Sequence, residues 1–252
     1  MKTSISAIKL FKACRRAYWF KYNQMIVPVQ KSEALETGTN YHAKLEQLYD
    51  TGDFDRGYDR ETAMACAFQK YIYPQFHVKA AEERFEYPLG GKNRLVGIMD
   101  AIADDGNVVE HKTTSLASIE EYEFNLQWDE QLMAYMLASG VRKVYYTICR
   151  KPTIRQKASE SDEEFFERMV EWYDTDTEDK IRLVEVTRTD AEIEEFKKGL
   201  KEIMTEMTYT IDYYRNTCHC NSWGRRCEYA GICLNYDPHQ EYVGFETWEA
   251  DR

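Results

Sequence analysis

Two β-rich runs separated by a polar turn constrain the fold of this chain most strongly. The runs lie within residues 96–115, and Asp104-Asp105-Gly106-Asn107 interrupts them with residues that tolerate a positive φ. A turn of this composition between two β-rich runs is typical of a β-hairpin. The sequence therefore predicts a pair of antiparallel strands at the centre of the fold.

Charged side chains of this hairpin converge if its register allows it. Glu110 and Lys112 are two residues apart and project from one face of their strand, whereas His111 projects from the other face. Asp100 joins Glu110 only if the loop has an odd number of residues, for example Asp104-Asp105-Gly106 with the glycine in the left-handed conformation. Two acids beside a lysine at the tips of adjacent strands can hold a divalent metal next to a lysine-held water. The hairpin is therefore a candidate metal site, and its register tests the idea.

The Glu-x-Lys spacing alone carries little information in a chain this rich in both residues. Glu178-Asp179-Lys180 and Glu195-Phe196-Lys197 have the same spacing, and we interpret both as solvated charges. An exposed charged strand is the alternative interpretation of Glu110 and Lys112 as well, because half-buried strands often carry charges on their outer face. The rest of the chain must decide between the two.

Length and composition favour a single globular domain over residues 1–252. The chain is 43% hydrophobic and 14% aromatic, and no apolar run approaches the length that spans a membrane. The first 12 residues lack the order of charges and apolar residues that marks a signal peptide, so we expect a cytoplasmic protein. In a reducing compartment its seven cysteines are not expected to form disulfides.

The net charge of −11 argues at first against a nucleic-acid partner. The distribution of charge matters more than the sum, because basic residues cluster near residues 9–21 and 142–157 while acids concentrate in residues 160–179. A locally basic groove on an acidic body is one interpretation of this pattern, and an ordinary solvated surface is the other.

Periodicity predicts helices and strands on either side of the hairpin. The predicted helices are one capped by Thr3 or Ser4 with Cys14 in its middle, 33–50 entered through Gly38, about 61–70, 126–138 and 190–214. The predicted strands are 82–88, 94–102, 144–149 and 181–186. Residues 157–179 begin acidic and become helical, and we interpret them as a helical insert or lid. His42 in the second helix suits a packing role or a ligand role.

The C-terminal part carries a dense group of cysteines. Cys218, Cys220, Cys227 and Cys233 lie within TCHCNSWGRRCEYAGIC, residues 217–233. Such crowding in a cytoplasmic protein indicates a structural metal, and four thiolates suit either tetrahedral zinc or an iron–sulfur cluster. Because one residue separates Cys218 from Cys220, an outside cysteine can replace Cys218, and Cys14 is the best candidate.

Taken in order, these segments resemble the PD-(D/E)XK nuclease superfamily. The resemblance is to its iron–sulfur branch of Cas4-like and RecB-like nucleases, and most closely to phage-encoded proteins assigned as exonucleases. The segments that carry it are SAIKLFKACRRAYWFKY, GTNYH, VGIMDAI, VEHKTTS, QLMAY, RKPTIR and CNSWGRRCEYAGIC. The resemblance implies an α/β restriction-endonuclease-like core, a mixed central sheet flanked by helices. Residues 33–200 would form the catalytic core with a helical insert near 158–180, and residues 1–30 with 205–240 would form an iron–sulfur side domain.

The resemblance also implies roles for individual residues. His42, Asp100, Glu110 and the backbone carbonyl of His111 would bind Mg²⁺ or Mn²⁺. Lys112 would orient or activate the attacking water, and Gln131 with Tyr135 would position the water or the strand. A [4Fe–4S] cluster would be held by four cysteines, which here are Cys14, Cys220, Cys227 and Cys233. The sequence departs from the family pattern in the additional Cys218 and in the six residues between Cys220 and Cys227, so the choice between Cys218 and Cys220 stays open.

The resemblance implies metal-dependent hydrolysis of DNA. We expect an exonuclease that acts on single-stranded or frayed ends in phage replication, recombination or CRISPR-type adaptation, with a recombination or adaptation protein as a possible partner. One alternative is an inactive nuclease scaffold that binds nucleic acid or protein without a catalytic metal. Another is an interaction protein stapled by zinc, which would be colourless where an iron–sulfur protein is brown.

Overall fold

The computed structural model describes residues 1–30, 32–222, 225–237, 239 and 241–248. Their contacts divide the chain into two units, each discontinuous in sequence. The smaller unit comprises residues 1–32, 88–96 and 197–252, and the larger unit comprises residues 33–87 and 97–196. Elements that cross these bounds contribute residues to both units.

The described residues form helices and strands in mixed order. The α-helices are α1 (Ile5–Ala13), α2 (Arg15–Tyr18), α3 (Glu33–Thr51), α4 (Arg60–Tyr71), α5 (Ile119–Asn125), α6 (Glu130–Ser139), α7 (Asp162–Trp172), α8 (Asp190–Tyr209) and α9 (Ala230–Leu234). The strands are β1 (Lys2–Thr3), β2 (Ile26–Pro28), β3 (Val78–Gly90), β4 (Asn93–Ala103), β5 (Val108–Thr114), β6 (Lys143–Arg150), β7 (Ile181–Thr187), β8 (Asn221–Ser222), β9 (Arg225–Arg226) and β10 (Phe245–Thr247). Across these described ranges, no helix is both long and apolar enough to cross a membrane.

A mixed sheet forms the centre of the larger unit, as predicted. Its strands are ordered β4-β5-β6-β7, and β3 pairs with β4. The short strand β1 pairs in parallel with Arg94 and Leu95 at the start of β4. The neighbours β4 and β5 are antiparallel, β5 and β6 are parallel, and β6 and β7 are antiparallel. The parallel pair is joined through α5 and α6, because a parallel connection has to return along the face of the sheet.

Helices cover both faces of this sheet. On one face α3 and α4 pack against β5 and β6, and their core includes Tyr41, Leu45, Phe68, Val109 and Cys149. The alternate residues of β5 and β6 face α6 on the other side, where Leu132, Met136, Tyr146 and Ile148 are buried. Glu110 and Lys112 belong to this second face, so their charges lie in a layer that is otherwise apolar.

The predicted helix 126–138 is wrong at its start, and a separate helix precedes it. Asp129 has the extended backbone of an N-cap and accepts a hydrogen bond from the Gln131 backbone N–H, so α6 begins at Glu130. Ser118 caps α5 in the same way. The prediction that a helix is entered through Gly38 is also wrong. Because α3 begins at Glu33, Gly38 lies inside the helix.

The interpretation of Lys180 as a solvated charge is wrong. Its side chain is buried, and its ammonium donates to the backbone carbonyl of Trp172, the last residue of α7, and to that of Thr175 in the turn that follows. The ammonium also lies over the Trp172 ring, 4.7 Å from its centroid. A lysine in this position satisfies carbonyls that the last turn of a helix leaves without partners.

The start of α7 carries a capping box formed by Ser161 and Glu164.

The smaller unit is built around the start and the end of the chain. Strand β2 pairs with β10, and Phe20, Ile26, Tyr229 and Ile232 are buried together. The prediction that Cys14 lies in the middle of a helix is wrong. Cys14 has φ −160° and ψ 112°, so it ends α1 and immediately precedes α2.

The predicted helix 190–214 is too long, because α8 ends at Tyr209. The residues that follow bond to α2 instead of continuing the helix. The backbone N–H of Arg16 donates to the carbonyl of Tyr214 at 3.1 Å, and its guanidinium donates to the carbonyl of Tyr213 at 2.7 Å. Arg15 donates to the Tyr214 hydroxyl at 2.7 Å. These bonds bring the chain that leads to the C-terminal cysteines next to Cys14.

Candidate active site

The hairpin of β4 and β5 has the register that the site requires. Ala101 is paired with Val109 and Ile102 with Val108, so the same register places Asp100 opposite Glu110. Gly106 has φ 83° and donates its N–H to the Ala103 carbonyl at 2.8 Å. A residue with a side chain would be strained at this φ, which explains the glycine. The prediction of an odd loop that ends in a left-handed Gly106 is confirmed.

Asp100 is held between the hairpin and helix α3. One carboxylate oxygen accepts a hydrogen bond from the His111 backbone N–H at 2.8 Å. The other oxygen lies 3.5 Å from Nδ1 of His42. Strand β5 and helix α3 therefore both fix the orientation of this carboxylate.

Glu110 is fully buried, and only one of its two carboxylate oxygens has a hydrogen-bond partner among the described residues. Its Oε1 pairs with the ammonium of Lys112, whereas its Oε2 has no hydrogen-bond partner among the described residues. Lys112 keeps 28% of its side chain exposed, so the pair reaches the surface through the lysine. A buried carboxylate oxygen without a partner is costly, and native structures retain one where an ion or water completes the site.

The charges of this group perturb one another. Burial raises the pKa of Glu110 to about 8, and the nearby Asp100 carboxylate adds to this rise while Lys112 opposes it. Burial also raises the pKa of Asp100, but the hydrogen bond and charge of His42 together with Lys112 lower it more, so the net shift is downward. Burial lowers the pKa of Lys112, and the two carboxylates outweigh it and raise the pKa. Two carboxylates that repel each other form a place where added positive charge is stabilised.

The two histidines differ in what they can bind. The ring of His111 is buried, with Nε2 2.9 Å from the Tyr49 hydroxyl and Nδ1 2.7 Å from the Thr147 hydroxyl. Burial lowers the pKa of His111 to about 3, so the ring is neutral and both nitrogens are occupied. For His42, burial lowers the pKa, but the hydrogen bond and charge of Asp100 raise it more. The predicted ligand role of His111 can therefore involve its carbonyl but not its ring.

Gln131 and Tyr135 lie beside the hairpin on α6. The Gln131 side-chain amide donates to the Tyr135 hydroxyl at 2.6 Å, and that hydroxyl donates to the Ile98 carbonyl at 2.8 Å. Burial raises the pKa of Tyr135, and the carboxylates of Glu110 and Asp100 raise it further, so the phenol stays protonated. The two side chains thus tie α6 to β4 two residues before Asp100.

Some residues that orient the site through hydrogen bonds were not identified from the sequence. Tyr49, Thr147 and Ile98 orient His111 and Tyr135. Thr147 is paired with His111 through the parallel register of β5 and β6, which no local pattern specifies. Tyr49 lies seven residues after His42 in α3, on the same side of the helix, and this spacing is the one signal that the sequence offers for it.

The hairpin fits a hard divalent cation. Across the described residues, no three side chains of the His, Cys, Asp and Glu types already form the ligand set of one ion. At the hairpin, the Lys112 ammonium engages one oxygen of Glu110 and leaves the other oxygen without a partner among the described residues. Mg²⁺ needs only one or two carboxylates and keeps several waters. Asp100, the free oxygen of Glu110 and the His111 carbonyl offer a donor set made of oxygen alone, which is the set that Mg²⁺ and Mn²⁺ prefer.

A second candidate centre lies in the smaller unit. Cys14, Cys220, Cys227 and Cys233 line a single cavity of about 130 Å³, and Cys218 does not. All seven cysteines lie in the described ranges and are free thiols, and Cys218 is exposed. The Asn216 backbone N–H donates to Sγ of Cys14 at 3.4 Å. Burial raises the pKa of the Cys227 and Cys233 thiols, so metal binding there would release protons.

Four thiolates are a donor set that either tetrahedral zinc or an iron–sulfur cluster can take. Within the described residues, the cysteines share a cavity but do not form the ligand set of one metal ion.

Comparison with known proteins places these observations in a family. The model of the PD-(D/E)XK nuclease superfamily matches residues 2–72 and 55–234. A comparison with curated proteins finds no match. A solved structure from Eubacterium rectale, assigned as an exonuclease, is similar at a TM-score of 0.50 and 11% identity, with 92% of each chain covered.

Two further solved structures are similar at lower TM-scores. An alkaline exonuclease from Laribacter hongkongensis has a TM-score of 0.36 and 15% identity, with 82% of this chain and 90% of that chain covered. A phage-related exonuclease from Haemophilus somnus 129PT has a TM-score of 0.35 and 14% identity, with 71% and 90% covered.

Proposed function

The chain belongs to the PD-(D/E)XK nuclease superfamily, and we propose that it is a divalent-metal-dependent exonuclease that hydrolyses DNA. One observation carries the proposal. Asp100 and Glu110 lie opposite each other on one face of the hairpin, Lys112 pairs with Glu110, and a buried Glu110 oxygen has no partner among the described residues. An ordinary charged surface strand would place these groups in water instead of burying them.

Asp100, Glu110 and the carbonyl of His111 would hold the metal, with His42 beside Asp100. Divalent metals such as Mg²⁺ serve as cofactors in this superfamily. When bound, the metal supplies Lewis acidity toward the phosphodiester and lowers the pKa of a coordinated water. The ligand role that the resemblance implies for His42 stays a prediction. Its Nδ1 lies 3.5 Å from Asp100, so we propose that His42 also holds this carboxylate in place.

Lys112 would act on the substrate, whereas Gln131 and Tyr135 would position the strand that carries Asp100. The Lys112 ammonium is partly exposed and carries three donors, so it can orient the attacking water and stabilise charge that develops on the phosphate. Gln131 and Tyr135 hold strand β4 at Ile98 and keep the distance between α6 and the carboxylates fixed. Such fixed positions lower the barrier because the reacting groups need no rearrangement.

We further propose that Cys14, Cys220, Cys227 and Cys233 hold a [4Fe–4S] cluster in the smaller unit. The shared cavity supports this ligand set, and the exposure of Cys218 supports Cys220 as the second ligand. The cluster would join residues near the start of the chain to residues more than 200 positions later. Its role would be to stabilise the smaller unit.

We infer the exonuclease mode from the sequence resemblance and from the description of the Eubacterium rectale protein as an exonuclease. The experiment compares linear single-stranded DNA, labelled at each end in turn, with circular single-stranded DNA in the presence of Mn²⁺. We expect mononucleotides or short products from linear DNA and no cleavage of circles. Cleavage of circles at the same rate would overturn the exonuclease mode, and intact linear DNA would overturn the proposed hydrolysis.

A further inference from the structure

The loop after β6, residues 152–160, begins beside the candidate active site. Strands β5 and β6 are parallel, and Thr114 is paired with Arg150 at their carboxyl ends. The Lys151 backbone N–H donates to the Thr114 carbonyl at 2.8 Å. Because Thr114 is two residues beyond Lys112 in β5, the loop leaves the sheet at the edge where Lys112 lies. We call residues 152–160 the Arg155 loop.

A salt bridge holds the Arg155 loop in one conformation. The Arg168 guanidinium donates to both carboxylate oxygens of Glu160 at 2.7 Å and to the Arg155 carbonyl at 2.8 Å. The same carboxylate accepts a hydrogen bond from the Lys157 backbone N–H at 2.8 Å. These hydrogen bonds from Arg168 lower the pKa of Glu160 to about 2. An arginine that donates two parallel hydrogen bonds to one carboxylate fixes the orientation of both side chains. Because Arg168 also binds the Arg155 carbonyl, it fixes the backbone of residues 155–160 as well.

Two cations of this loop are left available. The side chains of Arg155 and Lys157 are exposed, and neither forms a hydrogen bond or ion pair with another residue in the described part of the chain. The basic residue at the base of the loop is already engaged, since Arg150 donates to the Asp179 carboxylate at 2.7 Å. The fold therefore orders a loop whose two exposed cations form no hydrogen bond or ion pair among the described residues, although the charge of Lys157 contributes to the low pKa of Glu160.

We propose that Arg155 and Lys157 bind backbone phosphates of the DNA strand that occupies the active site. The inference rests on the proposed nuclease function and adds residues that position the substrate. A chain with a net charge of −11 repels DNA, so local cations close to the site are needed to hold the strand. Phosphate contacts fix the register of a strand without reading its sequence, which suits an enzyme that degrades ends of any sequence. A loop already fixed by Arg168 and Glu160 loses little freedom when it binds.

The salt dependence of binding tests this proposal. Affinity for a fluorescent single-stranded oligonucleotide is measured by anisotropy in a Glu110→Gln background, so that the strand is not degraded. The double substitution Arg155→Ala, Lys157→Ala is expected to weaken binding about 10-fold, equally for different sequences, and to reduce the slope of log K against log salt by about 1.4, because each phosphate contact on a single strand contributes about 0.7. An unchanged affinity and slope would overturn the proposal.

Two further variants separate the loop from general charge effects. The control Lys198→Ala, Lys201→Ala removes two exposed lysines of α8, and we expect the slope to stay at its starting value. Arg168→Gln keeps Arg155 and Lys157 but releases the loop, so we expect weaker binding with the slope preserved. Equal losses in the control, or full affinity in Arg168→Gln, would contradict the role of an ordered loop.

Failure of this inference can be told apart from failure of the proposed function. Hydrolysis of bis(4-nitrophenyl) phosphate with Mn²⁺ reports the chemistry without any neighbouring phosphates, and with Glu110 intact it is expected to be the same in Arg155→Ala, Lys157→Ala as in the unsubstituted protein. If the unsubstituted protein hydrolyses neither this diester nor DNA, the nuclease function is wrong. If it hydrolyses both and the double variant binds DNA with unchanged affinity and slope, only the loop proposal is wrong.

Discussion

Replacing Glu110 by glutamine is expected to reduce DNA hydrolysis by about 10³-fold or more, because the change removes one of the two carboxylates that face the proposed metal. The amide has nearly the same shape as the carboxylate, so the buried position on β5 stays filled. The loss is therefore expected in turnover rather than in folding. The measurement is the initial rate of nucleotide release from linear single-stranded DNA with Mn²⁺ in excess.

Stability distinguishes a lost catalytic group from a misfolded protein. The pKa of Glu110 is raised from its ordinary value of 4.5 to about 8 in the folded state, first by burial and then by Asp100. For an acid whose pKa is raised by folding, stability is fully present below pH 4.5 and is lost as the pH rises toward 8. Glutamine does not ionise, so the metal-free Glu110→Gln protein should match the unsubstituted protein in acid and be at least as stable at pH 8.

The matched control is Glu121→Gln, which makes the same chemical change at an exposed position of α5 in the same unit. We expect this variant to retain the full rate. A Glu110→Gln protein that is folded and as active as the Glu121→Gln control would show that the hairpin is not the catalytic site.

The second large effect is expected when a cysteine of the cavity is replaced. Cys227→Ser should remove the brown colour of anaerobically purified protein together with its iron and acid-labile sulfide. Because the proposed cluster joins segments at both ends of the chain, its loss should lower the free energy of unfolding by roughly 3 to 5 kcal/mol, comparable to losing a native cross-link of long span. Iron and sulfide analysis together with urea unfolding under anaerobic conditions measures both.

Cys218→Ser is the matched control for this experiment. Cys218 lies two residues from Cys220 but is exposed and does not line the cavity, so the variant should keep its colour, iron and stability. Loss of iron in Cys218→Ser with retention in Cys220→Ser would reverse the ligand assignment. A colourless unsubstituted protein that contains zinc would overturn the cluster itself.

The central hairpin could be predicted because all of its determinants are local. The turn residues, the alternation along β5 and the left-handed Gly106 lie within one short stretch, and together they set the register that brings Asp100 opposite Glu110. The positions of α3 and α4 followed in the same way from periodicity. Helix α4, for example, begins at Arg60 after the N-cap Asp59.

Features that depend on distant segments were not predictable. Cys14 looked like one more position of an amphipathic helix, yet the helix breaks there, and Asn216 bonds to the carbonyl of Ala13 at 2.7 Å. The pairing of β2 with β10 joins residues more than 200 positions apart, which no local pattern encodes. The end of α8 is similar, because bonds to α2 compete with continuation of an otherwise helical sequence.

Buried polar contacts could not be predicted from the sequence either. Lys180 lies in a Glu-Asp-Lys sequence that resembles a solvated surface, and its burial at the end of α7 arises only from the chain's return into β7. Likewise, the contact between His111 and Thr147 needs the parallel register of two strands that are separated by α5 and α6. Single residues of this kind become visible only when the tertiary structure brings their partners together.

The most direct test of the account is a Mn²⁺ titration of nucleotide release from linear single-stranded DNA, starting from protein freed of divalent metal. We expect no release without metal, a rate that rises to saturation with Mn²⁺, and no comparable rise in a Lys112→Met variant that still binds Mn²⁺ through Asp100 and Glu110. Release at full rate without added metal, or the same saturating rate in Lys112→Met, would contradict a metal-dependent nuclease built on this hairpin.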